Sequence, residues 1–403
     1  MLLISYLTNV DMSIRLASNF FTLSPHIRTR CKKKTQPTTA VTLMMAANAD
    51  FHYDRAKEVK QFDESKIGVK GLVDSGITTI PRFFIHPTET ISDLKSSNPF
   101  GSHSIPVISL SGDRSSVVDQ IRRASAEFGF FQIINHGIST DVLDRAVAAI
   151  RAFNEQPTEV KAQYYRRNTE TGVAFSTNFD LYHSKAASWR DTLQVRLGPT
   201  PPEFDKMPEV CRREVMEWDR EMVRLGEAVM EMMCEGLGLD AGRLKELTCL
   251  EGRIMASHYY PYCPQPELTV GLSSHTDPGV LTVVLQNQVG GLQVKHDGAW
   301  LDLNPIPGAL VINVGDMLQI MSNDEYKSVE HRVAGNPCRE ARVSIAVFFN
   351  PGDRDSLFGP LPELISAEKP AVYKSFTFSE FMTRFFTKEL DGKSLINFFK
   401  QSN

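Results

Sequence analysis

No apolar run in these 403 residues approaches the length of a membrane span. That excludes a helical membrane protein. There is no CxxC pair: the six cysteines stand scattered at 31, 211, 234, 249, 263 and 338. Without a secretory leader, this usage implies free thiols in a reducing compartment. Asn9, Asp11 and Arg15 interrupt any apolar leader core. HExxH is absent, which removes one common route to a zinc hydrolase. No internal repeat or low-complexity tract is visible. The net charge of −4 gives no nucleic-acid signal.

That charge is uneven. Residues 1–45 carry six basic residues and one acid, a net +5, so the remainder carries −9. The first 43 residues are rich in Ser and Thr, basic and nearly free of acids, as organellar transit peptides are. An alternative start lies at Met44-Met45, so residues 1–45 are treated as a leader. A chain starting at Met45 is expected to keep full activity.

What the chain does contain is a set of paired polar residues. His275 and Asp277 stand two apart, His331 follows, and Arg342 and Ser344 close the set. Two imidazoles and one carboxylate can hold one face of a ferrous ion and leave positions open for a co-substrate and O₂. Arg342 offers a planar fork suited to a second carboxylate. Together these match a dicarboxylic keto acid such as 2-oxoglutarate, with one end on the metal and the other on arginine. Side chains at i and i+2 of a strand share a face. The pairs His275/Asp277, Arg342/Ser344 and His258/Tyr260 can therefore look into one barrel interior.

A bare HxD is a weak signal, and the chain holds a second copy, His52-Tyr53-Asp54. That copy sits in a polar stretch without period-2 patterning and reads as surface. The His275 copy leads into the strand-like GVLTVVLQ, with His331 in KSVEHRVA and Arg342 opening RVSIAVFF. His136 reads as a turn residue, His183 as pocket edge or surface, and Cys263 as a small buried residue.

Around this set, residues 46–104 predict a short helix and then an extended segment wrapping the domain. Residues 105–210 mix strands with helices over 140–155 and 157–166. Ser116 is expected to start a helix whose apolar face is Val117, Ile121, Ala124 and Phe128. Residues 211–252 hold most of the longest helical pattern, which begins near 208. From 253 to 352 come eight short β-like runs, MLQIMS among them, separated by turn residues, which indicates a sandwich or barrel. Residues 353–403 end in a helix opened by Thr377 and Glu380.

With these residues on the page, the chain resembles plant iron(II)/2-oxoglutarate-dependent dioxygenases over about 55–400. FDESKIGVKGLVDSGITTIPRFF, FGFFQIINHG, STNFDLYHSKAASWRDTL, HYYPYCPQPELTVGLSSHTDPGVLTVVLQNQVGGLQV and DMLQIMSNDEYKSVEHRV carry the likeness. The first of these resembles the 1-aminocyclopropane-1-carboxylate oxidase homologues, a branch with hydroxylases of specialised metabolites. The resemblance implies a mainly β protein, a double-stranded β-helix (jelly-roll) with flanking helices. It implies Fe(II) on His275, Asp277 and His331, with Tyr260 and Ser344 helping Arg342 hold the distal carboxylate of 2-oxoglutarate. Ascorbate is the implied reductant, and succinate and CO₂ the by-products. His258 stands where many relatives have Asn and is taken as a donor in the pocket wall. Phe175, Tyr182 and Phe348 are the other expected substrate-lining residues.

The expected substrate is a small plant metabolite, hydroxylated or otherwise oxidised by a cytoplasmic monomer with no nucleic-acid or membrane partner. A plastid location is the alternative if residues 1–43 act as a transit peptide. Three rival readings share the motifs: an ethylene-forming oxidase that uses ascorbate in place of 2-oxoglutarate, a His₂Asp zinc hydrolase, and a silent binding protein.

Overall fold

The computed structural model describes residues 53–95, 104–168, 172–387 and 394–401. The leader reading for residues 1–45, and His52 of the second HxD copy, lie outside them. Asp54 of that copy caps the first helix, its Oδ1 accepting from the Lys57 N–H.

Twelve strands build the body of the protein. They are β1 Val107–Ser109, β2 Phe130–Ile134, β3 Val173–Ser176, β4 Asp191–Arg196, β5 Gly252–Tyr260 and β6 Val270–His275, then β7 Leu281–Gln286, β8 Leu292–His296, β9 Ala299–Asp302, β10 Leu310–Val314, β11 His331–Ala334 and β12 Arg342–Asn350. Eight form a large sheet in the order β1-β2-β10-β7-β12-β5-β4-β3. Four form a small sheet in the order β6-β11-β8-β9. All these pairs are antiparallel except β1 with β2. The two sheets with their flanking helices are the expected double-stranded β-helix.

Period 2 divides the large sheet into two faces. Val173, Phe175, Leu193, Val195, Val283, Ile345, Val347 and Ile312 point to one side and join the main apolar core. The long helix Arg212–Gly236 covers that side. Its buried stripe of Val215, Trp218, Met222, Leu225, Val229 and Met233 recurs at three- and four-residue steps. Gly226 brings this helix close to β12: a Cβ there would sit 2.6 Å from the Phe349 ring. This core draws on residues from Ile108 to Phe399, while Leu272, Leu292, Val294, Leu301 and Val333 of the small sheet form a separate cluster with Phe130 and Tyr260. No helix among the described residues is long and apolar enough to cross a membrane.

Three sequence expectations need correction. MLQIMS is a helix, Asp316–Met321, not a strand. All six of its residues are buried, Asp316 and Gln319 included, so the run has no exposed polar face from which a period could be read. The helix expected from Ser116 begins at Arg114, because Asp113 is its cap and accepts from the Ser116 N–H at 3.2 Å. The segment after residue 46 holds three helices among the described residues, Arg55–Ser65, Gly68–Asp74 and Thr88–Lys95, in place of one helix and an extended stretch.

The N-terminal segment packs through its own apolar cluster, in which Val59, Phe62, Val69, Leu72, Phe83 and Phe84 meet Leu181, Trp189 and Cys263. Two polar pins add to this. Asp191, at the start of β4, accepts the Val69 and Lys70 N–H groups at 2.8 Å each and the Thr177 hydroxyl at 3.1 Å. Gly68 makes this possible: its φ is +68°, and a Cβ there would lie 2.6 Å from the Asp191 carboxylate. At the small sheet, Arg332 donates to Asp93 Oδ2 at 2.5 Å and stacks 3.9 Å over the Trp300 ring.

Candidate metal and co-substrate site

His275 is the last residue of β6 and His331 the first of β11, and the two are directly opposite in the register. Their ring centroids lie 4.2 Å apart. Asp277 follows two residues beyond His275. Its Oδ1 is 3.5 Å from His275 Nε2 and 3.6 Å from His331 Nε2. These three are a candidate cation site, all buried, with one ligand atom from each lying within 4.8 Å of the others. Bonds of about 2.1 Å to a shared ion separate neighbouring donors by about 3 Å, so the spacing fits one metal after slight contraction.

The surroundings orient each donor. His275 Nδ1 lies 2.9 Å from Ser273 O and His331 Nδ1 3.2 Å from Val329 O. Each Nδ1–H then donates to a carbonyl, which leaves the Nε2 lone pair for the shared point. Asp277 Oδ2 accepts from Thr282 Oγ1 at 2.6 Å and Asn313 Nδ2 at 2.7 Å, freeing Oδ1. Burial raises the Asp277 pKa, but His331, His275 and the Thr282 hydroxyl outweigh it and hold the carboxylate below its usual range. Burial lowers the His331 pKa to about 4, so its imidazole is neutral and able to ligate near pH 7. Thr276 points away, as period 2 requires, and donates to Asp316 Oδ2 at 3.0 Å. The Asp316 N–H in turn bonds Asp277 O at 2.7 Å, so the unexpected helix braces the ligand loop.

The opposite face of the large sheet, turned away from the helix-covered core, carries rows of cross-strand neighbours. Tyr260 pairs with Arg342 in one row. Thr192, His258, Ser344 and Gln286 form the next. Ile254, Phe348, Thr282 and Asn313 form another further on. Arg342 is 2 % exposed. It donates from Nη1 to Ser344 Oγ at 3.1 Å and from Nη2 to Gln286 Oε1 at 2.8 Å, and its Cζ lies 4.9 Å from the Tyr260 ring centroid. Its buried Nε has no partner, and among the described residues no carboxylate pairs with it. A guanidinium buried without a counter-ion is costly, and an incoming carboxylate would complete it. The donor set therefore fits the distal end of 2-oxoglutarate. His258 accepts or donates at Nδ1 with Thr192 Oγ1 at 2.9 Å. Burial, then the charges of Arg190 and Arg342, push its pKa well below the usual imidazole value.

The structure thus brings His275, Asp277 and His331 together, and gathers Tyr260, His258, Arg342, Ser344 and Phe348 on one face. It does not bring Phe175 or Tyr182 there. Phe175 is fully buried on the helix side, against Phe153 and Tyr165. Its register with Leu193 sets that face, and pairing to β4 could not be read from residues 172–197 alone. Tyr182 is 46 % exposed and donates to Asp63 Oδ2 at 2.8 Å, anchored to the N-terminal segment. His136 is a turn residue, its Nε2 donating to Gly308 O at 2.8 Å. Sequence reading missed Thr282, Asn313, Gln286 and Arg190. The first two had a signal, being lone polar residues inside the apolar runs GVLTVVLQ and ALVINV.

Comparison with known proteins agrees with this geometry. Residues 251–351 match the 2OG-Fe(II) oxygenase superfamily, and residues 105–216 match the N-terminal region of non-haem dioxygenases in morphine synthesis. The chain is 46 % identical over 347 residues to 1-aminocyclopropane-1-carboxylate oxidase homolog 4 of Arabidopsis thaliana, covering 86 % of this chain and 98 % of that one. It is 40 % identical to deacetoxyvindoline 4-hydroxylase of Catharanthus roseus, covering 97 % and 98 %. Among solved structures it is similar to JOX2 in complex with 2OG, Fe and JA, with a TM-score of 0.75 at 32 % identity over 83 % of this chain and 98 % of that one.

A jelly-roll with a facial His-Asp-His set and a buried anion-free arginine is the framework of a non-haem iron oxygenase, and the chain belongs to the 2OG-Fe(II) oxygenase superfamily. It is a dioxygenase that uses Fe(II) and 2-oxoglutarate. Within the superfamily it stands with the 1-aminocyclopropane-1-carboxylate oxidase homologues and the plant hydroxylases of specialised metabolites.

Proposed function

We propose that the chain hydroxylates, or otherwise oxidises, a ring-containing plant metabolite, with His275, Asp277 and His331 holding the iron and Arg342, Ser344 and Tyr260 holding 2-oxoglutarate. One observation carries the co-substrate assignment. The Arg342 guanidinium is buried beside Ser344 and Tyr260, with no carboxylate of its own among the described residues. Bound Fe(II) and 2-oxoglutarate supply the oxidising power, coupling loss of CO₂ to oxidation of a substrate C–H bond. The protein's part is positional. The Nδ1 bonds to Ser273 O and Val329 O fix both imidazoles, and Thr282 and Asn313 fix the carboxylate. Phe348 supplies an apolar wall on the same face. Phe130 packs edge-on against His331 at 5.1 Å.

The substrate class rests on relatives that act on plant metabolites, deacetoxyvindoline 4-hydroxylase and a rice dioxygenase for auxin oxidation, the latter at 26 % identity and TM-score 0.63. The chain is taken to work as a cytoplasmic monomer without nucleic-acid partners, and the net charge of −4 supports the last of these. Light scattering and imaging of the full chain check these two points. The test of the activity is CO₂ release from 1-labelled 2-oxoglutarate, with iron, ascorbate and a pool of plant metabolites. Substrate-stimulated release is expected. Ethylene formed from the cyclopropane amino acid without 2-oxoglutarate overturns the proposal in favour of the ethylene-forming reading.

A further inference from the structure

A second arginine faces the same space. Arg190 precedes β4, two residues before Thr192, and so shares its face. Its Nη1 reaches across to Gly271 O of β6 at 3.2 Å, the one hydrogen bond its side chain makes among the described residues. It is 4 % exposed, and its buried Nε has no partner. Asp180 and Asp191 are near enough to be felt, but neither forms an ion pair with it, and Asp191 is committed to the Val69 and Lys70 N–H groups. Its neighbours toward the cavity are Tyr260 and His258. A purely structural strut between the sheets needs one N–H, and the bond to Gly271 provides that. The rest of the fork has no ion pair among the described residues, and it lies close enough to His258 for its charge to join burial in lowering that imidazole's pKa. The carboxylates of 2-oxoglutarate are already matched by the metal site and Arg342, so an anion for Arg190 has to come from the other substrate.

We infer that Arg190 anchors a carboxylate carried by the substrate that is oxidised, so that the enzyme selects acids over their neutral derivatives. The inference rests on the dioxygenase reading above. Arg190 acts here as a binding residue, and His258, kept neutral, stands beside it as a hydrogen-bonding partner for the same group.

The test uses the full chain loaded anaerobically with Fe(II) and 2-oxoglutarate, with binding read by calorimetry. The probes are four acids (indole-3-acetic, jasmonic, salicylic and p-coumaric) and their methyl esters. At least one acid is expected to bind about tenfold or more tightly than its ester. Arg190→Met should erase that preference, Arg190→Lys should keep part of it, and both should bind 2-oxoglutarate as the native chain does. The inference is overturned if no acid outbinds its ester, if the preference survives Arg190→Met, or if the variant loses 2-oxoglutarate affinity instead. Should Arg190→Met not fold, Arg190→Lys decides, since it must weaken the acid and leave the ester unchanged. A native chain that fails to bind 2-oxoglutarate refutes the dioxygenase reading, a result distinct from loss of the acid preference.

Discussion

The two faces of the large sheet are made by the same strands and do opposite work. On one side Leu193, Val283, Ile345 and Val347 merge into the helix-covered core. On the other, one residue along each strand, stand Thr192, Thr282, Ser344 and Arg342. A single strand such as β12 alternates between them, Val343 and Ile345 to the core, Arg342 and Ser344 to the cavity. Stability and chemistry are thus separated by about one Cα–Cβ reversal. Substitutions on the two faces should fail in different ways.

The largest effect is expected at Asp277. Asp277→Ala should abolish turnover while the chain still melts cooperatively near the native temperature, because the carboxylate serves the metal and not the core. Hydroxylation that persists at normal iron occupancy would sink the assignment. The counterpart on the other face is Phe175→Ala. Emptying a fully buried aromatic site should cost about 3–5 kcal/mol in denaturant unfolding. Turnover per folded molecule should hold. A loss of turnover without a loss of stability would put Phe175 in the pocket after all.

Next comes Arg342→Met, expected to weaken 2-oxoglutarate on the order of 100-fold in apparent affinity, with little change in melting temperature. Arg342→Lys should recover only part, since a point charge cannot reproduce the fork. Equal affinity in all three proteins refutes the pairing. The smallest effect concerns His86, outside both faces, whose Nε2 lies 3.3 Å from Ala187 O. Burial holds its pKa down to about 4. Between the unfolded value of about 6.5 and 4, the unfolded chain binds a proton that the folded chain refuses. Stability should therefore fall as pH drops through that window, and His86→Leu should flatten this part of the profile. An unchanged slope in that variant would assign the acid sensitivity elsewhere.

How far the sequence could be read follows from the same division. His275, Asp277, His331, Arg342 and Ser344 were legible because their spacing is local and polar residues interrupt apolar strands. β5, β7, β10 and β12 were legible as short apolar runs set between turn residues. Asp316–Met321 was not, since a run buried on all sides has no period. Phe175 was misplaced because side-chain facing depends on a register, here with Leu193, and Tyr182 because its partner, Asp63, is 119 residues away in the chain. Arg190 carried no signal in its type or spacing. Its interest lies in the bonds it lacks, and only coordinates show that.

The grip of Asp191 on the Val69 and Lys70 amides spans 122 and 121 residues of chain. Such a contact cannot form early in folding, because its loop must close before anything rewards it. The N-terminal helices are therefore expected to dock after β4 has found β5, and native-state hydrogen exchange should show them opening as one cooperative unit below the global unfolding energy. Since Asp191 adjoins both Arg190 and Thr192, each such opening is expected to loosen the edge of the cavity. The rate at which the amides of residues 69 and 70 exchange is thus a clock for how often that edge gives way.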